Sequence, residues 1–178
     1  DLALVREQVE ICKSIISGMA ARTGTLRPEL LQVQEADVWL RDVCVRWQAM
    51  RPRASCRMTF ERCGGASLIV TEATLEQALI NLLNNAADAS LAEIEIRLVR
   101  DETKLRIEVR DGGPGFPADV LRHAGRAPLL ASNGGAGIGL LLAFSAVERM
   151  GGRIVLDNLP AGGGRASIEL PLERDART

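Results

Sequence analysis

The chain has 178 residues, 47% apolar and 25% charged, which suits one medium-sized globular domain with an appendage. Its 22 basic and 23 acidic side chains leave a formal net charge of -1, so neither a nucleic-acid backbone nor an anionic membrane surface is an expected partner. No apolar run reaches the roughly 18 residues of a spanning helix, the segment Gly134 to Val147 being too short and too rich in glycine, and no signal peptide opens the chain.

A start at Asp1 without methionine suggests a fragment, with any sensor or membrane part upstream. Leu2, Val5, Val9, Cys12, Ile16 and Met19 fall at alternating spacings of three and four, a heptad seam that buries itself against another helix. Gly24 and Pro28 then break the pattern. The expected organisation is a helix over residues 1–24, a linker over 25–35, a domain over 36–173 and a tail over 174–178. Asp37 reads as the N-cap of a helix carrying Leu40, Val43, Val45, Trp47 and Met50, which Pro52 ends. Cys56 to Glu61 alternates as a strand, with Met58 and Phe60 on one face, and Leu68 to Val70 is a second. Thr71 or Thr74 caps a long helix running to about Ser90. Strands follow at Glu93 to Val99 and Lys104 to Arg110, around a turn at Asp101 and Glu102, with one face buried (Ile94, Ile96, Leu98; Leu105, Ile107, Val109). A short helix near Pro117 to His123, a helix from Ile138 to Met150, and a hairpin of Arg153 to Asp157 with Arg165 to Leu170 complete the chain. These elements predict an α/β fold, a two-layer sandwich of a mixed sheet with helices on one face.

Three stretches carry chemistry. Asn81, Asn85 and Asp88 lie at i, i+4 and i+7, sharing one helical face, while Leu79, Leu82, Leu83 and Ala86 turn elsewhere to pack on the sheet. Amides and one carboxylate in a stripe suit a hard cation and phosphate oxygens. Asp111-Gly-Gly113-Pro-Gly115-Phe116 directly follows a strand; its glycines let backbone approach a ligand, and its carboxylate can accept a hydrogen bond from an exocyclic amine. Gly134-Gly135-Ala-Gly137-Ile-Gly139-Leu140 opens a helix, where free backbone N–H groups make an anion site. Singly, the first is more often a solvated helix face, the second a plain turn, and the glycine string carries little weight. A dinucleotide fold does not fit the glycine string, because no parallel βαβ unit surrounds it. The cysteines (Cys12, Cys44, Cys56, Cys63) form no C-x-x-C pair and the single His123 has none nearby in sequence, so zinc is not expected and the thiols read as buried and free in a reducing cytosol.

In this order and spacing the three stretches resemble the N, G1 and G2 boxes of the gyrase, Hsp90, histidine kinase and MutL superfamily, over about Glu35 to Leu172. The resemblance implies a Bergerat-type fold and binding of ATP with Mg²⁺. Asn85, helped by Asn81, would hold the metal against the phosphates; Asp88 shares their face. Asp111 would take adenine, with Gly113 and Gly115 shaping its pocket. Gly135, Gly137, Gly139 and Leu140 would wrap the phosphates, Gly125 to Gly134 would form a lid, and Gly162 to Gly164 would make the last glycine turn. Hydrolytic members carry Glu where this chain has Asn81, an amide that cannot act as a base at neutral pH, so phosphoryl transfer to a side chain is expected over hydrolysis.

With the seam helix, which looks like the second helix of a kinase dimerisation hairpin, this points to a sensor histidine kinase. Its expected partners are a second copy through the N-terminal helix and a response regulator, and its expected place is a cytoplasmic domain of an inner-membrane-anchored kinase. Arg6 to Lys13 and Leu82 to Ser90 look like the RegB/PrrB redox-responding group, which would make Cys12 a redox site at the dimer seam. His123 reads as a surface residue, so the acceptor histidine would lie upstream. The sequence also departs from the family pattern: Asp88 stands where many members have Lys, and no threonine occupies Gly162 to Ala166 to support Asp111. The competing readings are a nucleotide-independent dimerisation module and an anti-sigma-type serine kinase of the same fold.

Overall fold

The structure, a computed structural model, describes residues 32–62, 67–125 and 138–172. In chain order the elements are β1 (Gln32–Glu35), α1 (Ala36–Met50), β2 (Cys56–Arg62), β3 (Leu68–Thr71), α2 (Ala73–Ala89), β4 (Ile94–Arg100), β5 (Lys104–Arg110), α3 (Ala118–His123), α4 (Ile138–Arg149), β6 (Arg153–Asn158) and β7 (Gly164–Pro171). Five strands form a sheet in the order β2-β4-β5-β7-β6, parallel between β2 and β4 and antiparallel elsewhere. The period-two pattern of β4 and β5 delivers Ile94, Ile96, Leu98, Leu105, Ile107 and Val109 to one face, all at most 3% exposed. Against them pack Leu75, Leu79, Leu82 and Leu83 of α2, with α4 laid along α2. This is the two-layer mixed-sheet sandwich expected.

The last four residues of the expected linker form β1, which pairs antiparallel with β3 (Val33 opposite Val70) as a ribbon separate from the main sheet. Thr71 is therefore not a helix cap: its hydroxyl donates to the Gln32 carbonyl at 3.2 Å and accepts from Gln34 at 2.6 Å. Nor does Thr74 cap α2; Glu72 stands at that N-cap, without a side-chain cap, and receives the Thr74 hydroxyl. Likewise α1 begins one residue before Asp37, with Glu35 at the N-cap, and Asp37 lies in the first turn where a carboxylate suits the helix dipole. The buried stripe of α1 is Ala36, Trp39, Leu40, Val43, Cys44 and Trp47, whereas Val45 and Met50 are 66% and 63% exposed. Leu40, Val43 and Trp47 are buried as expected, whereas Val45 lies about 100° round the helix from Cys44, which completes the stripe in its place.

On the face away from the helices, β5 and β7 bury two carboxylates under basic side chains. Glu108 lies 2.6 Å from Arg110 and 3.8 Å from both Arg97 and Arg106; Glu169 lies 2.8 Å from Arg153, 3.2 Å from Arg106 and 3.6 Å from Lys104. Arginine stems roof these anions while the guanidinium groups pair them, which removes the need for a second helical layer. Burial pushes the Glu169 carboxyl up, but the hydrogen bond from Arg153 and the charges of Arg153, Arg106 and Lys104 together hold it below its ordinary 4.5. An acid depressed in the folded state adds stability that is complete above the unfolded value and lost as pH falls through the folded one. The melting temperature is therefore expected to fall as pH drops below 4.5, and Glu169→Gln should flatten that dependence when melting is followed by circular dichroism.

Candidate functional site

Helix α2 is the beam of the site. Its apolar stripe fixes its roll on the sheet, which leaves Asn81 half-buried and Asn85 and Asp88 exposed along one edge. Asn81 donates to the Gly139 carbonyl at 2.9 Å and accepts from Gln77 at 3.1 Å, so both ends of its amide are engaged and the opening turn of α4 is tied to α2. Leu140 follows as a buried anchor. Asn85, one turn further on, is exposed and makes no side-chain hydrogen bond among the described residues. Asp88 is drawn toward α1, where Arg51 pairs with it at 2.7 Å. The sequence reading missed Arg51, whose only signal was a cation beside the helix-ending Pro52.

Asp111 sits at the C-terminal end of β5. Its backbone N–H donates to the Gly164 carbonyl at 3.0 Å, and its Oδ1 accepts the N–H groups of Gly113 at 2.8 Å and Gly164 at 3.2 Å. Backbone N–H groups thus orient this carboxylate from below, which is the support the absent threonine would have given. A Cβ on Gly113 would lie 2.7 Å from the Ala89 carbonyl oxygen, so only glycine lets the loop press onto the end of α2. Gly115 is clamped from the other side: Asn158 accepts the Phe116 N–H at 2.7 Å and donates to the Phe116 carbonyl at 3.0 Å. Sequence reasoning missed Asn158, since an Asn at a strand end before glycines reads as ordinary turn chemistry.

One helix thus joins two of the three predicted stretches, touching Gly139 through Asn81 and Gly113 through Ala89, about 12 Å apart at 1.5 Å per residue. Asn85 lies between. Gly135, Gly137, Cys12 and most of the expected lid lie outside the described residues. His123 is exposed at the end of α3, with Nδ1 2.9 Å from the Asp119 carbonyl oxygen. Among the described residues no cluster of three His, Cys, Asp or Glu side chains could hold a metal. No helix among them is long and apolar enough to cross a membrane.

The chain matches known proteins in the same region. The profile of histidine kinase-, DNA gyrase B- and HSP90-like ATPases matches residues 70–174. The sensor protein DegM of a Bacillus species is 26% identical over 97% of this chain and 46% of its own length. The sensor protein kinase CarS of Pseudomonas aeruginosa is 37% identical over 58% of the chain and 24% of its own. The chain therefore spans less than half the length of these relatives. Among solved structures, the histidine kinase AdeS of Acinetobacter baumannii superposes with a TM-score of 0.71 at 16% identity, over 97% of this chain and 82% of that one. The nucleotide-free catalytic domain of the histidine kinase ThkA gives 0.66 at 23%, over 80% and 97%. With that profile covering more than half of the sequence, including the Asn81 helix, the Asp111 loop and the start of α4, the chain belongs to the family of histidine kinase-, DNA gyrase B- and HSP90-like ATPases.

Proposed function

We propose that this chain is the ATP-binding catalytic domain of a two-component sensor histidine kinase, transferring the γ-phosphoryl of ATP to a histidine on a dimerisation helix for relay to a response regulator. The observation that carries the reading is the division of labour along α2: Asn81 is spent on fixing α4, while Asn85, one turn on, is exposed and makes no side-chain hydrogen bond among the described residues. The residues fit an adenine nucleotide with its cation. An amide oxygen is a hard donor for Mg²⁺ that phosphate oxygens would complete, and both internal bonds to Asp111 fall on Oδ1, so Oδ2 is the atom to accept the adenine amine. Bound there, Mg²⁺ would neutralise charge on the phosphates. Asn81 offers no base to activate water, which favours transfer over hydrolysis. What supports an acceptor on a dimerisation helix outside this chain is that its single histidine, His123, closes the six-residue α3 of the nucleotide-binding domain itself. Dimerisation through residues 1–24, attachment to a membrane-anchored kinase on its cytoplasmic side, and contact with a response regulator belong to the same proposal; what supports them is the heptad spacing of apolar residues from Leu2 to Met19 and the likeness to sensor kinases.

Titration of Mg·ATP into the wild-type chain and Asp111→Asn, followed by calorimetry, tests it. Losing a charged acceptor is expected to weaken binding by about 10- to 100-fold, while Oδ1 still accepts from Gly113 and Gly164 and the fold survives. Binding by neither protein would leave the nucleotide-independent module in its place.

A further inference from the structure

We propose that Cys44 and Cys56 form a reversible redox pair that closes an intramolecular disulfide, stapling α1 to the edge strand β2, when the chain meets a hydroperoxide. The two thiols stand on facing elements: Cys44 is on the buried stripe of α1, 1% exposed, and Cys56 is the first residue of β2, half-buried and packed against the same core. Both are free thiols. Gln48, one turn beyond Cys44 on α1, accepts from the Cys56 thiol at 3.9 Å, and its amide donates to the Ala54 carbonyl at 3.3 Å. The same turn is closed by Ala54 N–H to the Arg51 carbonyl at 3.0 Å and fixed to the sheet by Ile94 N–H to the Ser55 carbonyl at 2.9 Å. The loop between α1 and β2 is therefore held in a single path that sets the Cys56 thiol against the turn of α1 next to Cys44, where Arg41 of α1 also stacks over Phe60 of β2 at 4.2 Å, and bonding requires the two sulfurs to close to about 2 Å.

The chemistry is polarised. Hydrogen bonding from Cys44 lowers Cys56 from its ordinary 9.0 to about 7, although burial and the Glu93 carboxylate oppose this; Cys44 is raised by the same bond, by burial and by the Cys56 charge. Cys56 is thus the attacking thiolate, at the accessible edge of the sheet, and Cys44 the resolving thiol behind it. The Cys56 thiolate attacks the peroxide oxygen, the O–O bond breaks, and the alkoxide or hydroxide leaves to take up a proton. Cys44 then attacks the sulfenic sulfur, its thiol proton leaving with the hydroxyl as water. Two thiols are oxidised by two electrons and one peroxide is reduced; a dithiol reverses the step.

The test uses the whole chain, treated with hydrogen peroxide, blocked with an alkylating reagent and digested with trypsin without reduction. The tryptic peptides Asp42–Arg46 and Ala54–Arg57 each hold one of the two cysteines, and neither holds Cys12 or Cys63. The expected product is these two peptides joined and two hydrogens lighter than their sum, separated again by dithiothreitol and absent from Cys56→Ser. In Cys44→Ala, dimedone should instead label Cys56. Recovery of the two peptides unlinked while Cys12 or Cys63 is oxidised, or linkage of either to another cysteine, would overturn the pair.

Discussion

Gly163→Ala is expected to destabilise the domain by more than about 3 kcal/mol and to abolish nucleotide binding in what remains folded. Gly163 has φ +91, and a Cβ there would stand 2.0 Å from the Asp111 carbonyl oxygen and 3.1 Å from its carbon. Backbone cannot yield at that point, because the same turn is tied by Leu159 N–H to the Gly163 carbonyl at 2.9 Å and by Asp111 N–H to the Gly164 carbonyl at 3.0 Å. Relief means moving either the β6–β7 hairpin or Asp111, whose Oδ1 takes the Gly164 N–H. Gly162→Ala separates the two causes. Gly162 has nearly the same backbone angle, φ +93, with nothing within 4 Å of an added Cβ. It should lose only the conformational term, about 1 kcal/mol, and bind Mg·ATP as before. Denaturant melts of both variants, with calorimetry on the folded fractions, check this. Equal losses in the two would show that contact with Asp111 is not what the last glycine turn is for.

That pairing of a hairpin with a carboxylate 53 residues away marks where sequence reading stops. Strand alternation in Ile94 to Leu98 and Leu105 to Val109 made the buried sheet face visible, because period two leaves one assignment of inward residues. The shared edge of Asn81, Asn85 and Asp88 followed from helical spacing alone. Contacts made across elements were not legible. The Asn158 clamp joins β6 to the Phe116 loop, and the Arg51–Asp88 pair joins α1 to α2; neither leaves any mark on local pattern. β1 was hidden for a different reason. A four-residue strand in a two-stranded ribbon has too short an alternation to stand out from a polar linker, and its partner Thr71 looked like a cap because threonine serves both purposes. The outer face was masked by its charge: Glu108 and Glu169 in strands read as solvated positions, yet are only 4% and 7% exposed beneath their arginines.

The second large effect is expected at Trp47, where Trp47→Ala should cost about 3–5 kcal/mol. The indole is wholly buried among α1, α2 and the sheet, and its Nε1 donates to Asn84 Oδ1 at 3.0 Å. Two separate terms are lost: the ring's volume, and the donor that answers a partly buried amide oxygen. Trp47→Phe keeps most of the volume and removes only the donor, for about 1–2 kcal/mol, and Asn84→Ala removes the acceptor instead. If the hydrogen bond carries the difference, Phe and Ala at the two positions should be non-additive in a double-mutant cycle of urea melts; additive losses would reduce the bond to a by-product of packing. The bond also bears on the site, because Asn84 immediately precedes Asn85 and faces α1 while Asn85 faces solvent. Trp47 thus sets the roll of α2 from behind, as Asn81 sets α4 from in front. Trp47→Phe should accordingly weaken Mg·ATP binding more than its loss of stability removes folded protein, whereas a purely structural tryptophan would lower the folded fraction and leave the affinity of that fraction unchanged.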